Sequence, residues 1–186
     1  ASPALWPESE DEGAAPKDRL GIIAIWDAAT FGVVGSVVVP SGGPRCLCCS
    51  PPAKMVFAGT TRGRIFGYGA LDLAPRVEIR VSDSSPVLSL CVGSGDQLWY
   101  SAGHAGIVRA FDLTSSKEIA VKNVADSQPP ESEKDAKDDD KMRATTLMPG
   151  MLRGRFVVGG NDKGRVWLWD ATALQTHQGK PLVLGA

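Results

Sequence analysis

The residue types that most often carry out nucleophilic chemistry are scarce in this chain. Its 186 residues include only two histidines, His104 and His177, which stand far apart. A catalytic dyad or triad needs a Ser or Cys nucleophile beside an oriented base, and the spacing around these histidines predicts none. Both lie in predicted loops. The sequence therefore predicts a chain that is not an enzyme.

The four cysteines are the other candidates for chemistry, namely Cys46, Cys48, Cys49 and Cys91. Three of them crowd into one short apolar segment. Their CLCC spacing lacks the two-residue gap of a zinc knuckle, and no histidine lies nearby. We interpret them as buried thiols of a reducing compartment, with a metal site as the alternative.

Two glycine-rich segments resemble phosphate-binding loops only in composition. They are Ala58–Gly63 and Gly93–Gln97. Each is predicted to be a hairpin turn between strands, with no following helix to offer a positive N-terminus to a phosphate. No cofactor and no metal ion is expected.

The elements that position these residues repeat along the chain. Glycines at 21, 63, 106 and 164 each begin an apolar strand that has an aromatic residue five positions on, at intervals of 42, 43 and 58 residues. Self-similarity at this period is typical of a repeat architecture. The repeat positions are Gly21, Trp26 and Asp27; Gly63 and Tyr68; Gly106, Phe111 and Asp112; and Gly164, Trp169 and Asp170.

Each repeat is predicted to contain four short strands. Two β-prone segments separated by turns precede three of the glycines, and a fourth strand follows the aromatic position in every repeat. The repeats cover residues 4–39 in part, 44–81, 86–124 and 143–184. The sequence predicts an all-β fold of four-stranded antiparallel units.

Strands repeating every 40 to 45 residues with a Trp-Asp signature resemble those of WD-repeat proteins. The resemblance implies a β-propeller with about three and a half blades present, in a larger ring of which seven blades is one option. The acidic residue usual before the repeat's glycine is replaced by Arg62, Ala105 and Lys163. Apolar packing between blades is therefore expected to supply more of the stability.

The first repeat lacks an initial strand, and the chain begins at Ala1 rather than at a methionine. Open blade faces are unfavourable in a propeller, so a longer parent chain or a partner chain is expected to supply the missing blades. No apolar stretch reaches the roughly 18 residues of a membrane helix, so no membrane span is expected.

Charge is concentrated in two acidic segments. Residues 126–141 hold seven acidic and three basic residues, and Glu8–Glu12 holds four acidic ones, which leaves a body of net charge +7. Residues 126–141 are predicted to be a disordered insertion between blades. The resemblance places both segments on one rim of the propeller, together with Arg45, Arg62, His104, Arg143, Asp162 and Lys163. These six residues are the candidate protein-binding rim.

The leading hypothesis for function is a non-catalytic scaffold that binds protein partners through this rim, as part of a multiprotein complex in the cytoplasm. Two alternatives remain open. One is an accessory propeller of a multidomain enzyme such as a kinase or lipid phosphatase, and the other is a binder of RNA or phosphoinositide through the basic body. The nucleus and the cytoskeleton are alternative locations.

Overall fold

A computed structural model describes residues 21–81, 85–93, 97–102, 107–123, 146–149, 155–160, 166–170 and 182–184. Strands and tight turns account for the regular structure in these ranges. Within them, no helix is long and apolar enough to cross a membrane. The fold is all-β, as the repeat pattern predicts.

Fourteen strands form the described part of the chain. Their bounds are β1 Gly21–Trp26, β2 Val33–Val39, β3 Pro44–Ser50, β4 Met55–Thr60, β5 Arg64–Gly69, β6 Pro75–Arg80, β7 Val87–Val92, β8 Gln97–Ala102, β9 Ile107–Asp112, β10 Lys117–Asn123, β11 Thr146–Pro149, β12 Phe156–Gly160, β13 Val166–Asp170 and β14 Leu182–Leu184.

Sequence neighbours pair to form four antiparallel sheets. Blade 1 is the pair β1–β2, and blades 2, 3 and 4 are the four-stranded sheets β3–β6, β7–β10 and β11–β14. Consecutive strands pair throughout, so each four-stranded sheet is a meander. This confirms the prediction of a β-propeller built from four-stranded antiparallel blades.

The blades are held together by three apolar clusters, one at each junction. Between blades 1 and 2 lie Ile23, Val39, Ala58, Phe66, Tyr68 and Leu73. Between blades 2 and 3 lie Phe57, Ile65, Ile79, Val81, Val87, Leu90, Leu98, Tyr100 and Ala102. Between blades 3 and 4 lie Cys91, Trp99, Val108, Ala110, Leu147, Val157, Trp167 and Trp169. Alternating side chains on each strand supply one cluster per face, because successive residues of a strand point to opposite faces.

Neighbouring blades approach each other closely near their first strands. The backbone N–H of Leu147 on β11 donates a hydrogen bond of 2.9 Å to the Ser89 hydroxyl on β7. A methyl group added at Gly59 on β4 would lie 2.6 Å from the Val87 side chain of the next blade. A larger residue at Gly59 would therefore push blades 2 and 3 apart.

Asp27 and Asp112, which follow the aromatic residue of their repeats, close the turns after β1 and β9. Asp27 accepts backbone hydrogen bonds from Ala29 and Thr30, of 3.0 and 2.7 Å. Asp112 accepts equivalent bonds from Thr114 and Ser115, of 2.7 and 2.9 Å. Such Asx turns fix the backbone of a short loop. These N–H donors lower the pKa of both carboxyls.

Blade 2 has Gly69 where the other blades have this aspartate, and Asp72 takes over its role. Its carboxylate lies in the space that a side chain at Gly69 would occupy. It accepts a hydrogen bond of 3.0 Å from the Ala74 N–H and forms an ion pair of 2.7 Å with Arg76. The Ala74 N–H is the main cause of the lowered pKa of Asp72. The turn is thus closed by a carboxylate three residues later in the sequence.

One expectation from the sequence is wrong in detail. Cys49 is exposed rather than buried, because β3 alternates and turns Arg45, Leu47 and Cys49 to the open side. Trp26 is 55% exposed, whereas Trp169 at the same repeat position is 1% exposed. The reason is that Trp169 packs against blade 3, whereas no described element covers Trp26. Gly106, Gly164 and the insertion at residues 126–141 lie outside the described residues.

Candidate protein-binding rim

One end of blade 2 holds the described part of the candidate rim. Pro44 at the start of β3 pairs with Thr60 at the end of β4, and Arg64 at the start of β5 pairs with Arg80 at the end of β6. This register brings the β4–β5 turn, which contains Arg62, to the same end of the sheet as Arg45.

Backbone and hydroxyl hydrogen bonds fix the β4–β5 turn. The Thr61 N–H donates to the Gly43 carbonyl at 3.2 Å, and the Val81 N–H donates to the Gly63 carbonyl at 2.8 Å. The Thr60 hydroxyl accepts from the Arg64 N–H at 3.1 Å. Gly63 has a φ of +68°, in the left-handed region that glycine adopts without strain. The backbone that carries Arg62 is therefore tied to both neighbouring segments.

The Arg62 side chain lies across the segment that joins blades 1 and 2. A methyl group added at Gly42 would be 3.1 Å from its Cγ and 3.5 Å from its Cδ. Gly42 has a φ of +86°, so both its conformation and its lack of a side chain make room for the arginine stem. Arg62 itself is exposed and makes a further polar interaction.

Arg45 is exposed and is the neighbour of Cys46 in β3, on the opposite face of the strand. Burial raises the pKa of Cys46 to about 11, against smaller lowering effects from the Gly59 backbone and the Arg45 charge. Cys46 also lies 3.7 Å from the Val87 carbonyl, to which its thiol donates. This thiol stays protonated at neutral pH, so it belongs to the blade junction rather than to a nucleophilic site.

The structure thus brings Arg45 and Arg62 to one end of the same blade. His104, Arg143, Asp162 and Lys163 lie outside the described residues, and their place on the rim stays a prediction. Within the described ranges, no group of three metal-ligating side chains comes together. The chemistry that this rim offers is recognition by guanidinium groups, which pair well with carboxylates and phosphates.

Sequence reasoning missed a groove on the side of the propeller, between blades 1 and 2. It has a volume of about 470 Å³ and is lined by Val37, Val38, Pro40, Phe66, Tyr68, Pro75, Arg76, Val77 and Glu78. Its walls come from β2 and β6, which are not neighbours in the strand order of any sheet. No local pattern signals such a groove, because it forms only when two blades pack together.

Comparison with known proteins identifies the fold. No protein-family model matches the sequence, and no curated protein matches it. Among solved structures, U3-55K is similar at 15% identity and a TM-score of 0.64, over 92% of this chain and 46% of that one. The β-propeller domain of Cps50 (Swd1) from Myceliophteria thermophila has 14% identity and a TM-score of 0.57, over 78% of this chain and 40% of that one.

The WD40 repeats of RRP9 give a similar result, with 14% identity and a TM-score of 0.55 over 77% of this chain and 38% of that one. The chain therefore has the fold of WD40 β-propellers, as the resemblance in sequence implied. It spans less than half the length of the solved structures that it matches.

Proposed function

We propose that this chain is a non-catalytic scaffold segment that binds protein partners through the rim bearing Arg45 and Arg62. The observation that carries the proposal is the presentation of both arginines at one end of blade 2, next to a turn that is tied down on both sides. A rigid sheet that displays charged groups from its ends is suited to recognition.

Preorganisation supports binding at this rim. A side chain on a fixed backbone loses less conformational entropy when it binds than one on a loose loop. Two exposed arginines favour an acidic surface on the partner and accelerate its encounter with the rim. A partner with several carboxylates is therefore the class that we propose.

A paired charge reversal tests the proposal. The variant carrying Arg45→Glu and Arg62→Glu is compared with a control carrying Lys54→Glu and Lys117→Glu. The two control lysines are exposed and lie at the ends of blades 2 and 3 that are opposite to the rim. Both variants replace two basic residues by two glutamates, so the net charge changes equally. Each version is used for affinity capture from cells, with quantitative mass spectrometry of the bound proteins.

We expect the rim variant to lose a group of bound proteins that the control retains, with unchanged urea denaturation midpoints. Loss in both variants would indicate a nonspecific effect of net charge. Retention of every partner by the rim variant would refute the assignment of this rim.

A cytoplasmic location is also part of the proposal. All four cysteines are in the described part of the chain, and none forms a disulfide. Free thiols, most of them at least partly buried, support a reducing compartment. Imaging of the tagged protein tests this point.

A further inference from the structure

The groove on the side of the propeller is apolar at its base and charged at its edge. Phe66 is 7% exposed and Tyr68 is 1% exposed, and both point from β5 toward blade 1. Val37 on β2, which is half-buried and packs against the same cluster, forms the opposite wall. An apolar wall that is half exposed beside a buried aromatic floor is the kind of surface that binds an apolar side chain.

The Tyr68 hydroxyl lacks a hydrogen-bond partner among the described residues, although it is buried. Burial raises its pKa, so the group is a protonated donor at neutral pH. A buried hydroxyl without a partner costs free energy, and such groups are uncommon in folded proteins. Tyr68 is one of the residues that line the groove, so a group bound there lies beside this donor.

β6, the second wall of the groove, has a free edge. Among the described strands it pairs with β5 alone, and the Val81 N–H donates to the Gly63 carbonyl at the end of that ladder. Backbone groups in an antiparallel pair alternate between the partner and the opposite side. Given the register, the N–H and C=O groups of Glu78 and Arg80 point away from β5. This edge can accept one more strand.

The charged side chains along the edge of β6 carry a net positive charge, which favours an acidic group on a partner. Glu78 pairs with Arg64 and lies 3.5 Å from Arg80, and Asp72 pairs with Arg76. These five residues comprise three arginines and two carboxylates, so one positive charge is in excess. Arg80, with 74% of its side chain exposed, holds the most distant of these pairs. It is the position best placed to meet a carboxylate on a partner.

We propose that an extended segment of a partner protein adds to the free edge of β6. It places an apolar side chain in the groove against Val37 and Phe66, with an acceptor for the Tyr68 hydroxyl. Side chains two residues apart lie on one face of a strand, so an acidic residue two positions from the apolar one faces Arg80. This proposal rests on the scaffold function and adds a second surface with a defined ligand class.

Synthetic peptides test this site directly. The probes are fluorescein-labelled heptapeptides with a central Leu, Val, Ile or Phe, a Glu two residues before or after it, and Ser or Thr elsewhere. Matched peptides carry Ser in place of the apolar residue, Lys in place of Glu, or N-methyl groups on alternate backbone nitrogens. Binding to the full chain is measured by fluorescence anisotropy.

We expect at least one probe to bind about tenfold more tightly than its Ser counterpart, with weaker binding after the Lys exchange and after N-methylation in one of the two registers. Tyr68→Phe should weaken that probe about threefold to tenfold, as expected for one hydrogen bond. It should leave the fold intact, since it removes only a hydroxyl without a partner. Val37→Lys should abolish binding, whereas Val34→Lys, an exposed position on the other face of the same strand, should not.

Three results would overturn the proposal: no probe that exceeds its Ser control, equal binding by wild type and Tyr68→Phe, or indifference to N-methylation in both registers. The rim variant distinguishes this proposal from the scaffold function. If the groove binds no peptide while Arg45→Glu with Arg62→Glu still loses protein partners, only the groove is wrong. If peptides bind while no partner depends on the rim, only the rim assignment is wrong.

Discussion

Trp169 and Trp26 occupy the same repeat position, but we predict that they contribute very unequally to stability. Trp169 is 1% exposed and packs between blades 3 and 4, with its ring 2.6 Å from the place of a methyl group added at Gly159. Trp26 is 55% exposed on the open side of blade 1. Truncating each to alanine therefore compares one chemical change in two environments.

The magnitudes follow from the area that each ring buries. A fully buried tryptophan removes roughly 240 Å² from water, worth about 6 kcal/mol at 25 cal/mol per Å². Residual compactness of the unfolded chain reduces this to about 4 to 5 kcal/mol, within the usual range for a buried aromatic. Trp26 buries less than half as much and leaves no enclosed cavity, so its loss should cost about 2 kcal/mol.

Urea denaturation followed by circular dichroism measures the difference. Because Trp169→Ala removes a large fraction of a typical domain's stability, Trp169→Phe serves as a milder variant that should remain folded. The midpoint should fall further for Trp169→Phe than for Trp26→Phe, with similar m-values. Equal losses at the two positions would show that blades 3 and 4 do not pack around Trp169 as described.

Three further predictions concern the thiols, the turn carboxylates and the open face of blade 1. Cys49 is exposed and should react with N-ethylmaleimide before the other cysteines. Burial raises the pKa of Cys46 to about 11 and that of Cys48 to about 12, so these thiols should react more slowly. Uniform modification of the cysteines in the folded state would contradict this. Because these pKa values lie above the ordinary value of 9.0, the stability that the protonated thiols provide should decline as the pH rises above about 9. The turn aspartates have lowered pKa values, so the stabilisation that they provide should be present above about pH 4 and be lost as the pH falls. Carboxyl titration by NMR should show midpoints below 3.8 for Asp27, Asp72 and Asp112. The open face of blade 1 should cause the chain to self-associate, because Trp26 and Val34 are exposed apolar residues there. Replacing both by lysine should reduce this association in sedimentation experiments, and unchanged association would place the contact elsewhere.

The strand order could be predicted from the sequence because the same pattern of strands and turns recurs in every repeat. The glycine, the apolar strand and the aromatic residue fix the phase of every blade, and the strands of each four-stranded blade follow one another in the predicted order. The role of Asp72 could have been suspected, since it stands three residues after the glycine that replaces an aspartate. Only the structure shows that its carboxylate fills that space.

The exposure of Trp26 and Cys49 and the groove beside Tyr68 could not be predicted in this way. Each depends on which neighbour covers a strand, and burial on one face of a sheet is set by the packing of another sheet. Repeat periodicity treats Trp26 and Trp169 as equivalent. Their environments differ because one has a described blade against it and the other has none.

The hydrogen bond from Leu147 to Ser89 joins two strands whose residues are 58 positions apart. Together with the apolar cluster at the same junction, it holds blade 4 against blade 3 through residues that lie outside the segment connecting the two blades. The entropy of closing a connection grows only with the logarithm of its length. The segment that connects blades 3 and 4 is thus a place where new sequence, such as a reporter domain, can be inserted without redesigning the blades on either side.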